Sequence, residues 1–174
     1  VITPSPMVKK KEGMFFETFL RGDFSLTTQA VLVKKDCLVA VGGFDEHLRV
    51  LNDMEFFLRF SKQYEFLYNP HLAVTVMLNP SSKSLKRKER IESRAYIFRK
   101  YENDYKRYPK LYARTAYSIG HAYALMGNAA NAQLFLRKAR QYAPYNVGYL
   151  ASFLFASIPG MYRALGRIRG RMRI

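Results

Sequence analysis

The pattern of the chain changes at Asn79-Pro80, and the two sides invite different folds. Before it, short apolar stretches alternate with short helical ones. Ala30-Val31-Leu32-Val33 is apolar and largely β-branched, ends in Lys34-Lys35, and predicts a buried strand. Asp36 can cap a short helix through Val41, which Gly42-Gly43 stops. Asp53 opens a second helix over 54–63, with Phe56, Phe57 and Phe60 supplying its apolar face. Residues 64–68 and 72–78 then read as strands, the second rich in Val and ended by Asn79-Pro80. Such alternation points to an α/β domain.

Beyond Pro80 the pattern is helical. Ser81, Ser82 and Ser84 are candidate N-caps for a charged helix reaching about residue 105; Pro109, Gly127-Asn128 and Pro144 divide the rest into helices of ordinary length. Gly120, Tyr123, Gly127, Ala132, Leu136, Ala139 and Pro144 fall at tetratricopeptide spacing, although Ala116 stands where that pattern prefers Trp and one copy is evident. About three stacked repeats are needed for an independent solenoid. A single hairpin is therefore expected to serve packing rather than peptide binding.

Charge separates the regions again. The net charge is +16, yet all 13 acidic residues lie at or before Asp104, and twelve Lys and Arg follow it with no acid among them. The basicity belongs to the tail, where a membrane-surface or polyanion contact would be appended. Residues 147–158 form an apolar run well short of the roughly 20 needed to cross a bilayer. Further on, Met161, Ala164, Leu165, Ile168 and Met172 share a helical stripe while Arg163, Arg167 and Arg171 lie on another. That suits a helix lying in the headgroups of an anionic membrane; the alternative is a tail packed on the hairpin. No nucleic-acid motif accompanies the charge, so no nucleic-acid partner is expected. The single Cys37 cannot form an internal disulfide and reads as a core thiol, and His47, His71 and His121 share no metal-ligand spacing.

The stretch from Leu20 to Pro70 carries the chemistry. Gly42-Gly43-Phe44-Asp45-Glu46 follows one short helix, and Asn52-Asp53 precedes another that bears Arg59. In order and spacing these elements resemble the second half of family 2 glycosyltransferases, where a strand and short helix lead to G-G-F-D-E, then an acidic E-D element, then an Arg on the next helix. The similarity covers roughly residues 15–104, with Asn52 standing in place of the first acid of the second motif. It implies an α/β fold, the C-terminal, acceptor-side half of a GT-A (nucleotide-diphospho-sugar transferase) fold, followed by a helical hairpin and a basic amphipathic tail. It also implies inverting transfer of a sugar from a nucleotide-diphosphate donor to a saccharide or lipid-linked acceptor, in cell-surface polysaccharide, glycan or glycolipid synthesis.

Such transfer needs a carboxylate to take the proton of the attacking hydroxyl. Asp53, at the start of a helix whose dipole favours its ionised form, is the candidate, the competing reading being an N-cap aspartate. Gly43, Phe44 and Asp45 are implied to border the acceptor pocket, with Phe44 as a wall or alternatively a core residue. Asn52 and Arg59 are candidate supports. Arg59 is also spaced for an i,i+4 pair with Glu55, worth about 0.3–0.5 kcal/mol on a surface.

The family's donor pocket and metal-binding D-x-D precede the part resembled here, and this sequence has no D-x-D. Many relatives place a His after the last strand; residues 76–80 have none, so either Asn79 substitutes for it or that contact is absent. The divalent cation, Mg or Mn, is thus expected outside this chain, which alone should not turn over substrate. Residues 1–14 are expected to be a linker or cut end without a signal-peptide core, 15–104 the transferase part, 105–146 the hairpin, and 147–174 membrane-surface helices. The implied location is cytoplasmic, peripheral on the inner face of the cell membrane. A tetratricopeptide-like adaptor and a basic polyanion-binding module are the alternatives without chemistry.

Overall fold

A computed structural model of the chain describes residues 12–22, 26, 28–67 and 87–156. The chain divides into two compact units, Val1–Arg90 and Ile91–Ile174. The first contains α1 (Phe16–Arg21), a 3-10 turn at Thr28–Ala30, α2 (Lys35–Val41) and α3 (Asn52–Phe60). α4 (Arg87–Lys100) begins in the first unit and is followed by α5 (Glu102–Lys106), α6 (Pro109–Met126), α7 (Ala129–Tyr142) and α8 (Val147–Ala156).

Phenylalanine builds the first unit. α1 packs against α3, with the Phe19 and Phe57 rings stacked at 6.2 Å. Phe66 meets Phe15, Phe19, Phe57 and Phe60 edge-on at 5.5 to 6.1 Å. Edge-to-face pairs of this kind add about 0.5–1.5 kcal/mol each beyond the area they bury. Phe66 is held there by its backbone, which exchanges hydrogen bonds of 2.8 and 2.9 Å with Gly13.

That exchange is an isolated bridge, and no strand or sheet occurs among the described residues. The α/β expectation, and with it the half-GT-A fold, is corrected. The run at 30–33 ends the 3-10 turn and continues unpaired, with Leu32 at 101% relative exposure, so it is neither buried nor a strand. Of the expected strand at 64–68, the described residues 64–67 contribute a single bridge at Phe66 rather than a ladder. An apolar β-branched run becomes a strand only where a neighbour accepts its backbone hydrogen bonds. The third expected strand, at 72–78, lies outside the described residues, as do the Ser81, Ser82 and Ser84 caps, Asn79 and the tail beyond Ala156.

In the second unit helix periodicity governs packing. α6 buries Tyr112, Ala116, Ile119, Gly120 and Tyr123, and α7 buries Ala132, Phe135, Leu136 and Ala139, each set at i, i+3, i+4 spacing. Gly127, at φ 79°, ends α6: its N–H donates to Ala124 and that of Asn128 to Tyr123, closing a Schellman turn. The Asn128 side chain then caps α7 by accepting from the Asn131 N–H at 3.1 Å. Phe98 of α4 completes the core against Tyr105, Tyr112 and Phe135. The charged helix expected to reach about residue 105 is interrupted at Tyr101, which separates α4 from α5.

Glu102 ties α5 to the hairpin. Its carboxylate accepts from the Tyr112 hydroxyl at 2.6 Å and from Lys138 Nζ at 2.5 Å. Burial alone would raise its pKa, but these hydrogen bonds and the charges of Lys138 and Lys106 outweigh it and hold Glu102 below the usual glutamate value. α6 and α7 approach tightly at Gly120, where an added Cβ would stand 2.8 Å from Leu136 Cγ, 3.0 Å from Leu136 N and 3.1 Å from Ala132 O. Because two of these neighbours are backbone atoms, the helices would have to separate. Gly120→Ala should therefore cost about 1–3 kcal/mol despite the better helix propensity of Ala. Urea unfolding measures this; a variant as stable as the parent would show that the helices are not in tight contact there.

Candidate functional site

The Gly42-Gly43 turn is where α2 stops. The N–H of Gly42 donates to Val39 O at 3.0 Å and that of Gly43 to Leu38 O at 3.1 Å, the paired bonds of a Schellman turn. Both glycines are left-handed, at φ 86° and 65°. Space is not what requires them: a Cβ on Gly43 would meet nothing within 4 Å, and one on Gly42 would sit 3.6 Å from an Arg59 nitrogen. The backbone conformation requires them, since a side chain there costs about 1–2 kcal/mol.

The turn sends Phe44 and Asp45 in different directions. Phe44 remains 43% exposed while its ring lies 4.8 Å from Phe56, so one face touches the core and the other does not. The Asp45 side chain is 7% exposed and shapes the following loop, Oδ1 accepting from the His47 backbone N–H at 3.1 Å and lying 3.1 Å from His47 Nδ1. The Leu48 N–H donates to Asp45 O at 3.1 Å. Asp45 is thus committed to the turn that leads toward α3.

α3 starts in an unusual way. Leu51 precedes it at φ 61°, the one described residue other than glycine with positive φ, and provides no side-chain cap. Left-handed backbone at a leucine is uncommon and costs of the order of 1–3 kcal/mol. Asn52 and Asp53 are consequently the first two residues of the helix rather than its caps. Asn52 Oδ1 accepts from the Asp53 N–H at 3.0 Å, and Asp53 Oδ1 accepts from the Met54 N–H at 2.8 Å. Among the described residues no hydrogen bond reaches the second Asp53 carboxylate oxygen. The carboxylate thus sits in the first turn, facing the positive end of the helix dipole.

Arg59 joins the two parts. Its Nε donates to Glu55 Oε1 at 3.1 Å and its Nη2 to Glu55 Oε2 at 2.9 Å; Nη2 also donates to Gly43 O at 2.7 Å, and Nη1 to Val41 O. Glu55 is completely buried. The i,i+4 pair read for Arg59 is present, but it is not a surface pair: Arg59 is partly exposed, at 23%, while its Glu55 partner is fully buried, so losing Arg59 leaves a buried carboxylate without its counter-charge and costs more than an exposed pair contributes. Glu55 was not singled out by the sequence. Its signal is a lone acid within the apolar run Met54-Glu55-Phe56-Phe57-Leu58, four residues before an arginine.

Gly43, Phe44, Asp45, Glu55 and Arg59 thus form one connected constellation, with Asn52 and Asp53 on the helix to which it is tied. Arg163, Arg167 and Arg171 lie outside the described residues. Among the described residues no three of His, Cys, Asp and Glu lie close enough together to hold a metal ion.

Comparison with known proteins gives one match. A family model described as glycosyltransferase like family 2 matches residues 3–139. No curated protein and no solved structure matches the chain.

Proposed function

The chain belongs to glycosyltransferase like family 2, and on that premise we propose that Asp53 is the base that activates the acceptor and that Gly43, Phe44 and Asp45 form the acceptor-side loop. The donor is a nucleotide-diphosphate sugar and the acceptor a saccharide or lipid-linked hydroxyl. In the reaction the acceptor oxygen attacks the anomeric carbon, the bond from that carbon to the donor diphosphate breaks with inversion, and the hydroxyl proton passes to Asp53. The observation that carries this reading is the placement of Asp53 in the first turn of α3, with one carboxylate oxygen fixed by the Met54 N–H. A base held in this way keeps its orientation while the other oxygen takes the proton. The half-exposed Phe44 ring suits stacking on a sugar face. Asn52 supports the base by receiving the Asp53 N–H.

The second unit supports a membrane-surface setting for this reaction. α8 has no charged residue among its ten, and Val147, Leu154 and Phe155 are exposed on it at i, i+7 and i+8, along one stripe. Among the described residues no helix is long and apolar enough to cross a membrane. Further along the sequence come Arg163, Arg167 and Arg171. Each arginine near an acidic leaflet contributes about 1 kcal/mol. We read the exposed stripe and the following arginines as a peripheral contact with the anionic inner face of the cell membrane, suited to a lipid-linked acceptor.

Two outcomes follow. In the full-length enzyme Asp53→Asn should lower transfer by about a thousandfold or more, because it removes a base and its positioning together. Transfer is read as nucleoside diphosphate released from UDP- and GDP-hexoses in the presence of saccharide acceptors, with circular dichroism unchanged; loss of less than about tenfold would contradict the assignment. Replacing both Leu154 and Phe155 by Ser should weaken binding to phosphatidylserine-containing vesicles at low salt without lowering the melting temperature. Undiminished vesicle binding would remove α8 from the membrane contact.

A further inference from the structure

We propose that the Glu55–Arg59 pair, whose carboxylate is fully buried, is a positioning device for the transfer reaction, locking the Gly42-Gly43 turn, and with it Phe44 and Asp45, in fixed register with the helix that carries Asp53. The inference rests on the reading of Asp53 as base and of the loop as acceptor wall; it adds Glu55 and gives Arg59 a defined role at the carbonyls of Val41 and Gly43.

Burying a carboxylate and a guanidinium is costly, and replacement of such a pair by apolar side chains is often neutral or stabilising. Stability alone therefore does not explain why an otherwise apolar helix face carries Glu55. Geometry offers the explanation. Glu55 uses both oxygens to fix the Arg59 fork at Nε and Nη2, and the fork so oriented reaches two backbone carbonyls on either side of Gly42. Val41 O belongs to the last turn of α2, where unpaired carbonyls form the negative end of the helix dipole. Gly43 O points to the same guanidinium only because the backbone turns left-handed at two successive residues. The next residue is Phe44, whose ring also rests on α3 through Phe56 at 4.8 Å. The loop is thus tied to α3 at Val41, Gly43 and Phe44, and Asp53 opens the same helix.

Lysine keeps the charge but lacks the fork, and cannot hold Glu55 and two carbonyls in fixed directions at once. In the full-length enzyme Arg59→Lys should raise the KM for methyl hexopyranoside acceptors by about tenfold while changing the KM for UDP-hexose donors by less than about twofold. Amide exchange should quicken about tenfold at Gly43 and Phe44 and stay constant at Phe57 and Leu58, within α3. Glu55→Gln should act in the same direction. A purely structural pair would instead lower stability and shift both KM values together, or leave loop exchange unchanged, and either result overturns the proposal. Should both variants fail to fold, the unaltered protein decides: the Arg59 Nε proton, held by Glu55, should give a slowly exchanging NMR signal, and rapid exchange with water would refute the lock. Full activity of Asp53→Asn overturns the proposal separately, through the base, whereas an unchanged acceptor KM in Arg59→Lys rejects the lock and leaves Asp53 in place.

Discussion

The hydrogen bonds of one guanidinium organise the site. Arg59 donates to both oxygens of the buried Glu55 and also to Val41 O and Gly43 O, so a side chain of α3 closes the end of α2. Without it the last carbonyls of α2 would lose a cation at the negative pole of the helix, and a buried carboxylate would lose its counter-charge. The loop from Phe44 to Leu48 starts from this point. Its next constraint is Asp45, whose carboxylate receives the His47 N–H and sets the path toward α3.

The aromatic cluster makes that arrangement rigid. Phe56, Phe57 and Phe60 occupy α3 beside Glu55, and their rings connect to Phe19 and Phe66 on one side and to Phe44 on the other. Burying a phenylalanine contributes about 1.5–3 kcal/mol, enough for several together to offset the left-handed backbone at Leu51. The charged pair fixes direction and the phenylalanines supply the driving force. Strain at Leu51, burial of Glu55 and exposure of Phe44 all fall within the segment that the sequence marks as chemical, and departures from ordinary folding rules tend to collect at functional sites.

Where local chemistry decides structure, the sequence was readable. Gly42 and Gly127 end their helices in left-handed turns because few other residues adopt that backbone at low cost. Gly120, Tyr123, Ala132, Leu136 and Ala139, singled out by their spacing, are buried between α6 and α7. The order of Gly42-Gly43-Phe44-Asp45, Asn52-Asp53 and Arg59 sufficed to place the chain near family 2 glycosyltransferases, and the family match agrees. The strands expected at 30–33 and 64–68 were misread because a strand is defined by its partner, which Val31-Leu32-Val33 does not disclose. The start of α3, expected at Met54 behind Asp53, lies two residues earlier at Asn52, since nothing about a leucine announces positive φ. Glu55 was read as a surface partner of Arg59 because acids are ordinarily at the surface, and its burial depends on tertiary packing that the spacing does not disclose.

The central claim is that Asp53, on the helix tied to the Gly42-Gly43 loop, receives the proton of the acceptor. The most direct measurement is a crystal structure of the full-length enzyme with a nucleoside diphosphate and a saccharide acceptor bound. A hydroxyl of the acceptor should lie about 2.6–3.2 Å from an Asp53 carboxylate oxygen, with the sugar ring against Phe44. An acceptor bound elsewhere, with its hydroxyl beyond reach of Asp53 and paired with another carboxylate, would contradict the account.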